Sequence, residues 1–161
     1  MTIRPIIACV LVILLGALPG RAGAADAGSL EIAGHVAKGA PAEFDLAALK
    51  ALGTVEFKTH TPWTDGAQDF EAVPGDKLMK AVGAYGGAID ATAADGYTTT
   101  IPFEDFRSGK AYIAITMNGQ PLPTDKFGPF WVIYQYDKDP QLTDQAHKDR
   151  SIWQLKSLVV K

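Results

Sequence analysis

Alternating apolar and polar positions mark most of the chain after residue 29. LEIAGHVA (30–37) alternates well enough for a strand, and KGAPAE reads as a turn after it. Asp45 can cap a short helix through Leu49, with Leu46 and Leu49 on its apolar side and Gly53 as its stop. TVEFKT (54–59) alternates as a strand, with Val55 and Phe57 facing one way. Pro74 opens a second helix over 75–83, where Leu78 and Val82 lie four apart, Met79 widens their face, and the glycines of GAYGG end it. AIDATAAD and YTTTIP then predict two strands around the turn pair Asp95-Gly96. FEDF (103–106) is one helical turn, and AYIAITMNG is a strand ending at Asn118-Gly119. FWVIYQY (130–136) is apolar and aromatic, hence a buried strand. Residues 137–149 read as a charged loop, and SIWQLKSLVV (151–160) as the final strand.

Strands outnumber short helices, and the two do not alternate regularly. The expected fold class is therefore α+β, mostly β, in one compact domain of mixed sheets. The N-terminus has a different pattern. Arg4, the apolar run 6–18, the breakers Pro19 and Gly20, and the small residues Ala22-Gly23-Ala24 have the order of a secretory signal peptide. The expected division is 1–24 as signal peptide and 25–161 as the domain, with export to the periplasm and no stable membrane insertion after cleavage.

Charge narrows the functional classes. The whole chain carries a formal −3. Arg4 and Arg21 lie in the signal segment, so the domain is more acidic still, and no basic block marks a nucleic-acid partner. Cys9 is the only cysteine and sits within the apolar run, so the domain has no thiol for a disulfide, a metal or a nucleophile. There is no G-x-S-x-G, H-E-x-x-H, P-loop or dinucleotide fingerprint. The histidines His35, His60 and His147 are far apart in sequence. His35 reads as a strand histidine with a satisfied partner and His147 as a solvated loop residue. No carboxylate pair stands out as an acid/base couple.

The remaining candidate chemistry is aromatic. The polar stretch KTHTPWTDG (58–66) carries His60, Thr61 and Trp63 between two core-like segments. On a strand through 130–136, Trp131 and Ile133 share one face, while Val132, Tyr134 and Tyr136 share the other. Trp153 follows Arg150 and Ser151. Such rings either fill a small β-core or stack on a flat, nitrogen-rich ligand that hydrogen-bonds to Arg, Asp, Ser and Thr.

Four segments occur in a telling order: DGYTTTIP, AYIAITMNGQPLP, FGPFWVIY and RSIWQLKSLVV, preceded by FEAVPGDKLM at 70–79. Together they resemble the molybdopterin-binding domain of the sulfite oxidase family. That resemblance implies its fold and a pterin-type cofactor. It also places the family's molybdenum-ligating cysteine near His60 and Thr61, where this chain has no thiolate. The family's N-terminal cofactor-binding block and its dimerisation domain have no counterpart here. Trp131 stands where the family has an arginine, and Arg150 where it has a lysine, with Ser151 retained.

The resemblance is to the small periplasmic, cysteine-lacking branch of the fold, some members of which resemble pterin-binding regulators. It implies a non-catalytic protein that binds a pterin without molybdenum and reports it to the periplasmic domain of a membrane-bound cyclic-di-GMP enzyme. In such a site Trp63 and Trp131 stack on the pterin, Arg150 and Ser151 meet its carbonyl or hydroxyls, and Asp95 or Asp137 accepts from its aminopyrimidine edge. Tyr134 and Trp153 complete the expected ligand-binding set. Two other readings stand beside this one: a molybdopterin-dependent oxidoreductase with a substituted ligand such as His60, and an interaction module whose pocket is empty.

Overall fold

The computed structural model describes residues 28–37 and 42–161, so the expected signal peptide and most of the 38–43 turn lie outside the described residues. Among the described residues, ten strands and four short α-helices make an α+β, mostly β domain, as the patterning predicts.

Five strands form the first sheet, in the order β2 (Ala42–Phe44), β1 (Leu30–Gly34), β10 (Leu155–Val160), β5 (Ala88–Ala93) and β6 (Thr98–Pro102). β1 and β10 run parallel, with Glu31 opposite Ser157 and Gly34 opposite Val160. The other pairs are antiparallel. The last strand is thus central in its sheet and joins the first strand of the domain to the β5–β6 hairpin. The second sheet runs β3 (Val55–Thr59), β4 (Gln68–Pro74), β7 (Ala111–Met117). The far edge of β7 is shared by β8 (Gln120–Pro121) and β9 (Trp131–Tyr134). Ile32, Ile89, Leu158 and Ile101 from the first sheet and Phe70, Val73, Ile113 and Val132 from the second belong to one continuous hydrophobic core.

Local chemistry explains most boundaries. The side chain of Asp45 accepts from the backbone N–H of Ala48 at 2.7 Å and starts α1 (Leu46–Ala51). Pro74 precedes α2 (Gly75–Val82), which buries Leu78, Met79 and Val82 and ends on Gly83 in the left-handed region. α3 (Phe103–Arg107) follows β6 directly. At the β5–β6 turn the Asp95 carboxylate accepts from the Tyr97 N–H at 2.9 Å, and Gly96 takes φ 90°. Asn118 and Gly119 are both at positive φ, as a two-residue hairpin turn requires.

Three expectations change. β1 stops at Gly34, because the chain there turns to φ 86° and lies so close to the Val160 backbone that a Cβ would collide with it. β10 starts at Leu155 because Gln154 is left-handed and gives its N–H to Phe127 O instead. Residues 137–149 are no loop. Asp139 caps a 3₁₀ turn (Pro140–Thr143), and Asp144 caps α4 (Gln145–Arg150) by accepting from the His147 N–H at 2.8 Å. The short strand β2 is an addition that three residues were too few to signal.

Gly34→Ala places a Cβ against Val160 in a conformation that disfavours any side chain. We expect a loss of about 1–3 kcal/mol of unfolding free energy, measured by chemical denaturation.

Candidate functional site

A cavity of about 350 Å³ opens where four segments meet: the 59–66 loop, the β5–β6 turn, α4, and the irregular residues 151–154. Pro62, Trp63 and Trp153 form its apolar side, with Ile152 and Ala93. Asp95, Lys148, Asp149 and Ser151 supply charge and hydrogen-bonding groups. Tyr97, 54% exposed, stands among the lining residues. Gln145 and Gln154 complete the rim.

The 59–66 loop owes its shape to its threonines. The Thr61 hydroxyl accepts from the Trp63 N–H at 3.2 Å and lies 2.8 Å from the Thr64 hydroxyl. Thr59 accepts from the Asp137 N–H at 3.1 Å. One Asp137 oxygen meets both the backbone N–H and the ring Nδ1 of His60, each at 2.9 Å. The backbone N–H of His60, and then its ring, hold the Asp137 carboxyl below the usual carboxylate range. These bonds clip the loop to the end of β9 and leave Trp63 turned toward the cavity.

Behind Trp63 lies a packed ring cluster. Trp131 is wholly buried. Phe127 stacks on it at 4.5 Å and 12°, and Trp63 meets its ring at 5.7 Å and 66°. Trp153 lies 5.4 Å from Trp63 at 71°. The Trp131 indole N–H donates to the Ser151 carbonyl at 3.2 Å, which satisfies its one polar atom inside the core.

A second buried network anchors α4. Tyr134 donates to Asp105 at 2.9 Å, and Arg150 reaches the same oxygen at 3.1 Å. The side chains of this ion pair are only 24% (Arg150) and 9% (Asp105) exposed. The Ser151 hydroxyl donates to the His147 carbonyl at 2.8 Å and accepts from the Tyr136 hydroxyl. The His147 ring stands edge-on to Tyr134 at 5.1 Å and bonds Asp144 through Nδ1. Burial pushes the Tyr136 phenol up to about 12. Burial, reinforced by the Asp105 carboxylate, pushes the Tyr134 phenol higher still.

The ten residues singled out from the sequence divide into three sets. Trp63, Asp95, Ser151 and Trp153 line the cavity. Trp131 and Tyr134 lie behind it with no exposed surface, because both faces of β9 are covered; neither can stack on a ligand in this arrangement. His60, Thr61, Asp137 and Arg150 shape or anchor the walls and do not line the cavity. His35 is exposed and stacks on Tyr85 at 5.3 Å, and His147 is half-buried, which corrects the reading of both.

Sequence reasoning missed Tyr97, Lys148 and Asp149. Reading 137–149 as a loop hid the last two. The signal that could have found them is Asp144, which occupies an N-cap position ahead of QAHKDR. Among the described residues, no group of three His, Cys, Asp or Glu side chains could hold a metal ion. No described helix is long and apolar enough to cross a membrane.

The family model described as the oxidoreductase molybdopterin binding domain matches residues 18–135. The match covers the 59–66 loop, the β5–β6 turn and most of the ring cluster, and it ends before α4 and residues 151–154. No curated protein matches the chain.

Two outcomes follow from the buried network. Arg150→Ala leaves the Asp105 carboxylate with Tyr134 alone; we expect a loss of about 3 kcal/mol, read from denaturant melts. The tyrosine shifts have a fixed sign. A phenol whose folded pKa lies above its unfolded value contributes stability that is complete below about pH 10 and is lost as pH rises through about 12. Phenolate absorbance of Tyr134 should therefore appear only together with alkaline unfolding, whereas that of Tyr136 should appear as pH rises through about 12. Tyr136→Phe should remove its share of the fall in stability between about pH 10 and about 12.

Proposed function

Because the chain belongs to the oxidoreductase molybdopterin-binding domain family, we propose that it is a metal-free member that binds a pterin-like small molecule rather than catalysing a redox reaction. The observation that carries this reading is the cavity. It offers two tryptophan surfaces, at Trp63 and Trp153, together with hydrogen-bonding groups of both kinds, and no soft ligand. Flat heteroaromatic rings take their binding energy from such faces and their orientation from a few polar groups.

The residues present do not fit molybdenum. Thiolate is the soft donor that such a metal site uses, and Cys9, the one cysteine, lies in the N-terminal apolar run outside the described residues. His60, the candidate replacement, bonds Asp137 at the surface and does not line the cavity. The oxidoreductase reading loses its ligand on both counts. The interaction-module reading is disfavoured by the cavity itself, since Lys148 and the carboxylates of Asp95 and Asp149 open onto it beside the tryptophans.

In the same proposal the protein acts in the periplasm as a signalling accessory. The signal-peptide pattern of residues 1–24 supports export. Its partner would be the periplasmic domain of a membrane-bound cyclic-di-GMP enzyme, to which it would report pterin occupancy.

Denaturing purified protein should release a pterin, seen by fluorescence and mass spectrometry, with molybdenum far below one atom per chain. Trp63→Ala should weaken pterin binding about tenfold or more while the fold survives. Molybdenum near one atom per chain would return the protein to the oxidoreductases. A protein that neither carries nor takes up a pterin would support the empty-pocket module.

A further inference from the structure

Lys148 is half-buried, lines the cavity and makes no ion pair among the described residues. Its ammonium is a donor only. Two carboxylates share the cavity, and each has one oxygen already in use. Asp149 accepts from the Gln145 amide at 2.6 Å, and Asp95 accepts from the Tyr97 N–H at 2.9 Å. A carboxylate has two oxygens and about four acceptor positions, so both retain capacity toward a ligand. The polar side of the cavity therefore offers one strong donor and two strong acceptors.

Resting on the pterin reading above, we infer that the site recognises its ligand by a 2-amino-4-oxopyrimidine edge, with Lys148 donating to the oxo group and Asp149 and Asp95 accepting from the ring N–H and the amino group. That edge presents an acceptor followed by two donors, which complements the set present here. The tryptophans fix the plane of the ring, and the charged groups fix which edge faces inward. Asp95 lies within the part of the chain that the family model matches, whereas Lys148 and Asp149 lie beyond residue 135, so two of the three recognition groups come from α4. One ammonium set against two carboxylates also disfavours a phosphate dianion in the same cavity.

Pterins and guanine nucleosides share this edge, and lumazine, which has an oxo group in place of the amino group, lacks its second donor. Calorimetric titration of the wild-type chain with pterin, lumazine and guanosine separates the cases. Charge-assisted hydrogen bonds of this kind correspond to about tenfold or more in affinity. Pterin is expected to bind at least that much more tightly than lumazine. Asp95→Asn/Asp149→Asn should close most of the gap, and Lys148→Met should weaken pterin about tenfold. All three substituted residues lie on the surface or rim of the cavity, and circular dichroism checks the fold. Guanosine binding as tightly as pterin assigns the same edge to a purine ligand, and guanosine failing to bind assigns it to a pterin. Equal affinity for pterin and lumazine, or a gap that survives the double substitution, overturns the inference and leaves the pterin reading standing. Failure of every bicyclic ring to bind overturns both.

Discussion

The site depends on the burial of one indole. Trp131 sits on β9 with no exposed surface, and its neighbours are organised around it: Phe127 stacked on one face, Phe70 and Trp63 at its edges, and the Ser151 carbonyl on its N–H. A ring of this size contributes some of the largest apolar burial in a small domain. Its single polar atom also needs a partner once water is excluded. Meeting that need pins residue 151, and with it the irregular stretch that turns Trp153 toward the cavity. The tryptophan of the 59–66 loop is in turn supported from behind by the same ring.

The second constraint is electrostatic. α4 has six residues, too few to be stable by its own hydrogen bonds. A local cap and two tertiary contacts hold it: Asp144 at its N-terminus, the Arg150–Asp105 pair at its C-terminus, and the Tyr136–Ser151–His147 chain beneath it. An ion pair this deep costs desolvation, and the Tyr134 hydroxyl on the shared oxygen offsets part of that cost. With α4 fixed in this way, Lys148 and Asp149 are held at the cavity although neither has a partner deep in the protein.

These two constraints divide the roles within the site. The family-matched part of the chain supplies the ring floor and the 59–66 wall. The C-terminal part supplies Trp153, Lys148 and Asp149, and the charged rim is completed by Asp95 from the matched part. In the 59–66 loop the threonine and histidine side chains are engaged in holding the loop. The polar stretch KTHTPWTDG is thus a scaffold for Trp63, and His60 and Thr61 do not line the cavity.

Much was legible in the sequence because it is encoded within a few residues. The period-two alternation marked most of the strands, Asp45 and Gly83 marked helix ends, and Asp95-Gly96 and Asn118-Gly119 marked hairpins. The segment order marked the family, and the single cysteine in the apolar run marked the missing thiolate. Other features depended on residues far apart in the chain. The strand pattern placed Trp131 on a face but did not say that the face would be sealed by Phe127, Phe70 and Trp63. It gave no hint that β10 would lie between β1 and β5, which carries residues 151–154 to the β5–β6 turn. The charge run 137–149 looked solvated because its anchors, Asp105 and Tyr136, lie elsewhere in the chain or belong to a neighbouring strand end. Periodicity determines which residues share a face of a strand or helix; only long-range packing decided which of the rings became core and which became the wall of a cavity.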